Sequence, residues 1–253
     1  MQTKVIRPEG DPMGAAIYDF HKSGRQGGKL IVHSSMFDDD EIPLETLFRS
    51  FDQMPILEQV ALRAAQGRIL DVGAGSGCHS LALQAMGKAS VAIDISPLSV
   101  TVMKEKGIDA RLIDLYDGSF NEKFDTVLML MNGSGIIGRL ENMPDFFARM
   151  KQILAPGGCV LMDSSDLRYL YEDEDGSFEI DLADDYYGQL DYQMEYVPSR
   201  HSILPMSVLG ESFDWLYVDF DTLSFYAEQS GFKAEVVAVG EHYDYLAKLY
   251  PKA

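Results

Sequence analysis

Short apolar runs alternate with helix-length stretches through the middle of the chain, and that alternation sets the expected fold. Residues 69–72, 89–93, 110–115, 124–131 and 159–163 are strand-length and apolar, and they end at acids, glycines or polar turns. The run Phe124-Asp125-Thr126-Val127-Leu128-Met129-Leu130-Met131 is almost unbroken, the pattern of a strand buried on both faces of a parallel sheet. Residues 76–86 and 144–154 read as helices, the second stopped by Ala155-Pro156-Gly157-Gly158. A helix between two strands is what joins parallel neighbours, because the chain must return before it can run in the same direction again.

The flanks carry other patterns. Residues 14–20 read as a short helix, followed by a glycine-rich turn and the apolar stretch Leu30-Ile31-Val32-His33. Residues 43–51 and 55–65 read as two helices, each opened by proline. Farther on, Leu190, Tyr192, Met194 and Tyr196 alternate with polar residues, the period of a half-buried strand. A small β-rich insertion over 164–212 is therefore expected. Residues 213–219 read as a strand, 221–229 as a helix and 233–239 as a final strand.

The sharpest chemistry lies where the first central strand ends, in Arg68-Ile69-Leu70-Asp71-Val72-Gly73-Ala74-Gly75-Ser76-Gly77. Alternating glycines let a backbone turn tightly and let a nucleotide approach without side-chain bulk. The spacing departs from the G-x-G-x-x-G dinucleotide fingerprint. Asp71 would also repel a pyrophosphate at the following helix N-terminus, whereas an amine and a sulfonium would be attracted. Two further strands end in acids, at Asp94 and Asp114.

These residues resemble the first motifs of the class I S-adenosylmethionine-dependent methyltransferases, over about residues 68–239. The resemblance implies an α/β fold with a Rossmann-like, doubly wound, seven-stranded and mostly parallel sheet whose last strand is antiparallel, under an N-terminal helical cap. It implies S-adenosylmethionine as cofactor, held by Asp71, Gly73, Ala74, Gly75, Gly77, Asp94, Ile95, Asp114, Leu115 and Asn132. Asp94 would bind both ribose hydroxyls. Asp114, with Asp117 as its rival, would receive the adenine amino group, and the Leu115 backbone N–H would donate to the ring. One methyltransferase domain is expected, with cap helices over 1–66, a cofactor core over 67–163, a lid insertion over 164–212 and a strand-helix-strand over 213–253.

The acceptor is far less legible. The resemblance implies methyl transfer by in-line displacement, and a small-molecule acceptor leads the alternatives. Tyr18, His21, Asn132 and Asp163 are the catalytic candidates, Phe48 and Arg49 further cavity candidates, and His79 another base. Asn132 lacks the Pro-Pro-aromatic sequence of amino-methylating nucleic-acid enzymes. A protein methyltransferase or a non-catalytic cofactor-binding protein would share the cofactor half, while a nicotinamide-dependent reductase would need different glycine spacing.

Composition narrows the partners. With 40 acidic against 21 basic residues the formal charge is −19, which disfavours a phosphate-rich polymer. The early basic residues Lys4, Arg7, Lys22, Arg25 and Lys29 read as a solvated face, as does the run Glu172-Asp173-Glu174-Asp175. No apolar run approaches the roughly 20 residues that cross a bilayer, and the polar start is no signal peptide, so a cytoplasmic protein is expected. Cys78 and Cys159 read as reduced thiols, and the five scattered histidines suggest no metal.

Overall fold

The structure is a computed structural model and describes residues 5–24, 26–171 and 185–252. Lys4, Arg25 and the acidic run at 172–175 lie outside the described residues. Its centre is the expected doubly wound sheet. Strands β3 (Ile69–Val72), β4 (Ser90–Asp94), β5 (Ala110–Leu112), β6 (Phe124–Met129) and β7 (Leu154–Ser165) run parallel. Helices α4 (Cys78–Ala85) and α5 (Pro97–Glu105) return the chain between the first three, and α6 (Met143–Ile153) leads into the last.

Two more strands, antiparallel to each other, complete this sheet. Helix α7 (Phe220–Gln229) leads to β11 (Phe232–Val239), and β12 (Asp244–Pro251) then turns back between β11 and β7, giving the order β11-β12-β7-β6-β3-β4-β5. The last strand is antiparallel, as the resemblance implies, but it is β12; the expected final strand at 233–239 is β11, which runs parallel to the central strands because β12 enters between it and β7.

Strand alternation divides the core into two layers. Val127, Met129, Val160 and Met162 meet Phe146, Phe147 and Met150 of α6 and Leu223 and Ala227 of α7. Leu128 and Leu161 point the other way, onto α4 and onto α3 (Ile56–Ala64). Every one of these core side chains is buried, and each contributes about 1.5–3 kcal/mol when fully removed from water.

A second sheet differs from expectation. It is not built by the insertion alone. Strand β8 (Gln189–Val197) pairs on one side with β1 (Lys29–Ser34), which pairs in turn with β2 (Asp40–Ile42). On its other side lies β10 (Phe213–Leu216), and the short β9 (Val208–Leu209) joins off the end. Residues 213–219 therefore do not lead into the central sheet. The N-terminal cap is also part strand, beyond its helices α1 (Pro12–Lys22) and α2 (Leu44–Leu47). The physical reason is that a two-residue period marks a strand but not its partner, and the insertion supplies β8 with only the two-residue β9, so most of its hydrogen-bonding neighbours come from β1 and β10. Leu30 sits opposite Tyr196, and both are fully buried against Ile17 and Phe20 of α1.

Candidate active site

The glycine loop grows from the end of β3. Gly73, Gly75 and Gly77 all have left-handed φ values, of 64°, 55° and 80°. Backbone conformation alone would favour glycine there. At Gly77 space demands it too, since an added Cβ would lie 2.4 Å from Ile108 and 2.9 Å from Met103 at the end of α5. The loop is pinned to the neighbouring strand, with Gly73 N and Ala74 N both donating to the Ile93 carbonyl.

Asp94 ties that loop down from the end of β4. Its Oδ2 accepts from Gly75 N at 2.7 Å and its Oδ1 from Ser96 N at 2.8 Å. Burial pushes its pKa up to about 6 against those two hydrogen bonds, and the nearby charges of Asp11 and Asp71 add to the rise. Asp11, fully buried, caps α1 through Gly14 N and accepts from Ser96 Oγ at 2.6 Å. The N-terminal segment is thereby fastened beside the cofactor loop, and Ile6 N also donates to the Ile95 carbonyl.

Asp114 follows β5 and accepts from Tyr116 N at 2.8 Å, while Leu115 is buried in the core. The residue that fixes this loop is Arg149 of α6. Its guanidinium, on a residue only 4% exposed, donates to the carbonyls of Leu115, Asp117 and Phe120. The sequence reading missed it. An arginine on the apolar helical face of Phe146, Met150 and Ile153 was the available signal, because a charge there must find buried partners.

Asp71 is 2% exposed, and its Oδ2 accepts from Ser80 Oγ at 2.7 Å on α4. Beside it runs a buried chain of charges that joins two residues named from the sequence, Arg49 and His79, through Glu58, which the sequence reading missed. Arg49 pairs with Glu58, whose Oε2 lies 2.8 Å from His79 Nε2. Burial works against the His79 imidazolium, yet the Glu58 hydrogen bond and the charges of Asp71 and Glu58 outweigh it and raise its pKa. Burial likewise opposes the Glu58 carboxylate, but His79 and Arg49 hold its pKa below the ordinary value. Arg49 and His79 thus share the Glu58 carboxylate beside Asp71, whose own pKa burial raises, and this pairing is how such a cluster avoids the cost of an isolated buried charge.

After β6 the chain makes an unusual turn, with left-handed φ values at Met131 (67°) and Asn132 (55°). Non-glycine residues rarely adopt this conformation, and two in succession need outside support. Asp163, at the end of β7, supplies it. Its Oδ2 accepts from Met131 N at 3.1 Å and its Oδ1 from Gly133 N at 2.9 Å. Burial pushes the Asp163 pKa up to about 6 in spite of its backbone donors. Ser165 Oγ donates to Asn132 Oδ1 at 2.9 Å. Trp215 of β10 packs onto the same turn, so closely that a Cβ on Gly135 would lie 1.8 Å from its ring.

A cavity of about 920 Å³ opens beside this turn. Asn132, Asp163 and Ser165 form its wall on the central sheet, and Arg49 and Glu58 enter from the N-terminal segment. Leu190, Tyr192 and Tyr217 come from the second sheet and its continuation. Of the candidates, Asn132, Asp163 and Arg49 meet here, whereas Tyr18, His21 and Phe48 are not in the lining. His21 instead faces Glu105 of α5 at 3.1 Å, beside the Lys22–Glu105 pair. Phe48 packs on Phe20, with ring centroids 5.0 Å apart.

Relatives place this geometry. A crystal structure of an S-adenosylmethionine-dependent methyltransferase from Bacteroides fragilis, in complex with S-adenosyl-L-homocysteine, is 59% identical over 99% of both chains, with a TM-score of 0.90. The chain belongs to the S-adenosylmethionine-dependent methyltransferases. Residues 69–158 of this methyltransferase match the family described as "Methyltransferase domain". A curated relative, the cypemycin N-terminal methyltransferase of a Streptomyces species, is 31% identical over 109 residues, 41% of this chain. That match spans less than half of the relative, 44%. Similar in fold alone is the sugar N-methyltransferase KedS8 from Streptoalloteichus, 14% identical over 78% of this chain and 85% of that one, with a TM-score of 0.56.

The cofactor of this methyltransferase is S-adenosylmethionine, and the left-handed glycine loop beneath two strand-end acids fits it. Among the described residues, no helix is long and apolar enough to cross a membrane.

Proposed function

We propose that this methyltransferase transfers a methyl group to a small molecule held in the cavity beside Asn132. The carrying observation is the cavity itself. Its volume of about 920 Å³ lies within the range of small-ligand sites, roughly 300–1,000 Å³, and it adjoins the carboxyl ends of β6 and β7, where open α/β sheets bind ligands.

The residues divide the work. Asp94 accepts the ribose hydroxyls, and the loop from Gly73 to Gly77, with Ala74 and Ile95, shapes the cleft for the rest of the nucleoside. Asp114 and Leu115 meet the adenine, on a loop that Arg149 keeps in place. Asp71, turned toward Ser80 and His79, braces the start of α4 and adds negative charge under the loop. S-adenosylmethionine supplies a methyl already activated on a sulfonium, so the protein has little bond chemistry of its own to perform. Asn132 and Asp163 shape the wall against which the acceptor is aligned, and such alignment supplies much of the barrier reduction. Asp163 is also placed to hold a proton lost by the acceptor.

Incubation with methyl-labelled S-adenosylmethionine and separate low-molecular-weight and protein fractions of a cell extract tests this reading. Label is expected in the small-molecule fraction. Label confined to protein would replace the reading with a protein methyltransferase, and label in neither would leave a cofactor-binding protein.

A further inference from the structure

The cavity walls differ in chemistry, and the difference selects an acceptor. On the central sheet Asp163 and Ser165 offer hydrogen-bond acceptors, while Asn132, whose Oδ1 is taken by Ser165, presents its amide N–H groups. Each Asp163 oxygen takes one backbone N–H, which leaves half of the carboxylate's acceptor capacity unused. Ser165 spends its single proton on Asn132, so its oxygen too can only accept further bonds.

The charge balance points the same way. Among the described lining residues Arg49 is the only arginine or lysine, and it is engaged with Glu58. His79 adds a second cation to Glu58 from behind the wall. Asp163, Glu45 and Asp244 remain as carboxylates facing the space, against His242 at the rim. In the rest of the wall four aromatic residues, Phe37, Tyr169, Tyr192 and Tyr217, stand among aliphatic and uncharged polar ones such as Leu57, Leu190 and Gln53. Tyr192 and Tyr217 join their hydroxyls at 3.3 Å. Aromatic faces attract a cation and exclude an anion.

Resting on the small-molecule reading above, we infer that the acceptor is an organic amine with an apolar or aromatic body, bound as its ammonium between Asp163 and the tyrosine wall. An ammonium brings donors to the free acceptors of Asp163 and Ser165 and positive charge to a surface of carboxylates. A carboxylate acceptor would meet repulsion from three acids. An alcohol would need a far stronger base than Asp163 to become a nucleophile. The ammonium gives one proton to Asp163; its nitrogen lone pair then forms the N–C bond while the S–C bond breaks, the electron pair leaves on sulfur, and Asp163 passes the proton to water.

The test is a set of titrations into the protein loaded with S-adenosylhomocysteine, followed by calorimetry. The probes are 2-phenylethylamine, 2-phenylethanol and phenylacetate, with tryptamine, tryptophol and indole-3-acetate as a larger series. In at least one series the amine is expected to bind about tenfold tighter than the alcohol, with the carboxylate weakest. Asp163→Asn should bring the amine-to-alcohol ratio toward one. Glu45→Gln, at an exposed position that folding tolerates, should lower the ratio more modestly. An alcohol or carboxylate binding as tightly as its amine, a ratio unchanged in both variants, or no saturable binding in either series would overturn the inference. The label-partition experiment fails independently: label in protein removes the small-molecule reading, while these titrations still decide whether the cavity selects amines.

Discussion

The cofactor loop approaches the turn after β6, where a Cβ on Gly73 would lie 3.0 Å from Ile136, and the proposed acceptor cavity opens beside that turn, yet the chain assembles the two regions in opposite ways. The loop draws on consecutive β-α-β units, and its central contacts, such as those of Asp94 to Gly75 and Ser96, are short in sequence or lie between adjacent strands. The cavity gathers Arg49, Asp163, Tyr192, Tyr217 and Asp244 from distant segments. A cleft of the first kind persists when its flanks change. A wall of the second kind changes with every flank, which suits a part that must differ between acceptors.

Substitutions can separate the two regions or show where they are joined. The largest effect is expected at Glu58, which belongs to both because it lines the cavity and supports His79 beside Asp71. Glu58→Ala leaves Arg49 and His79 buried without their shared carboxylate, a loss of about 3–5 kcal/mol in stability that chemical denaturation would measure. A change under about 1 kcal/mol would mean that the chain of charges is solvated in solution.

Asp94→Ala should strike the cofactor region alone. Two charge-assisted bonds to the ribose predict a loss of about 2–3 kcal/mol, roughly 30- to 150-fold in affinity for S-adenosylhomocysteine by calorimetry. Binding within about twofold of the parent would reduce Asp94 to a brace for Gly75.

Gly135→Ala should strike the cavity alone. The added methyl enters the Trp215 ring and must push β10 off its seat, at a cost of about 1–3 kcal/mol. Acceptor turnover should fall while cofactor affinity stays near that of the parent, and an equal loss of both would show that the two regions are not separable.

The pH profile of cofactor affinity offers a milder perturbation. With the Asp94 pKa near 6, affinity should be level at pH 7–8 and fall by about tenfold per unit well below pH 6, where the carboxyl can no longer accept both hydroxyls. Since the folded pKa lies above the ordinary 3.8, protonating Asp94 favours the folded protein, so this group does not cause the decline by unfolding it. A profile flat to pH 5 would remove Asp94 from direct contact.

The smallest effect is expected for His21→Ala. His21 faces Glu105 on a half-exposed outer surface, where such pairs contribute about 0–1 kcal/mol, and methyl transfer should be unchanged. A large loss of turnover would bring α1 into the acceptor site after all.

What could be read in the sequence follows the same division. The glycine loop, Asp94 and the central strands announced themselves through local spacing. Gln189–Val197 also appeared as a strand, but its partners in β1 and β10 did not, because alternation records which face is buried and not what lies alongside. Strand β12 went unseen as a separate element, and its insertion between β11 and β7 depends on the turn at 240–243. His79 was named as a candidate base, but its partner Glu58 was not, because only the packing of α3 on α4 brings the two to 2.8 Å. Tyr18 and His21 were candidates because the resemblance lays N-terminal helices across the cofactor, whereas α1 buries Ile17 and Phe20 and turns His21 toward Glu105.

The register of Leu30 against Tyr196 also governs how this protein emerges from the ribosome. When β1 leaves the exit tunnel, its central partner does not yet exist. At about 5–20 residues per second, roughly 10–30 s of translation separate the two strands. During that interval the nascent chain can complete its central parallel strands, but β1 has only the three-residue β2 beside it. An unpaired strand is a template for aggregation, and charged residues blunt such edges. Lys29, His33, Asp40 and Glu41 lie on or beside this waiting ribbon. They guard a surface that is exposed in the growing chain and covered once β8 arrives.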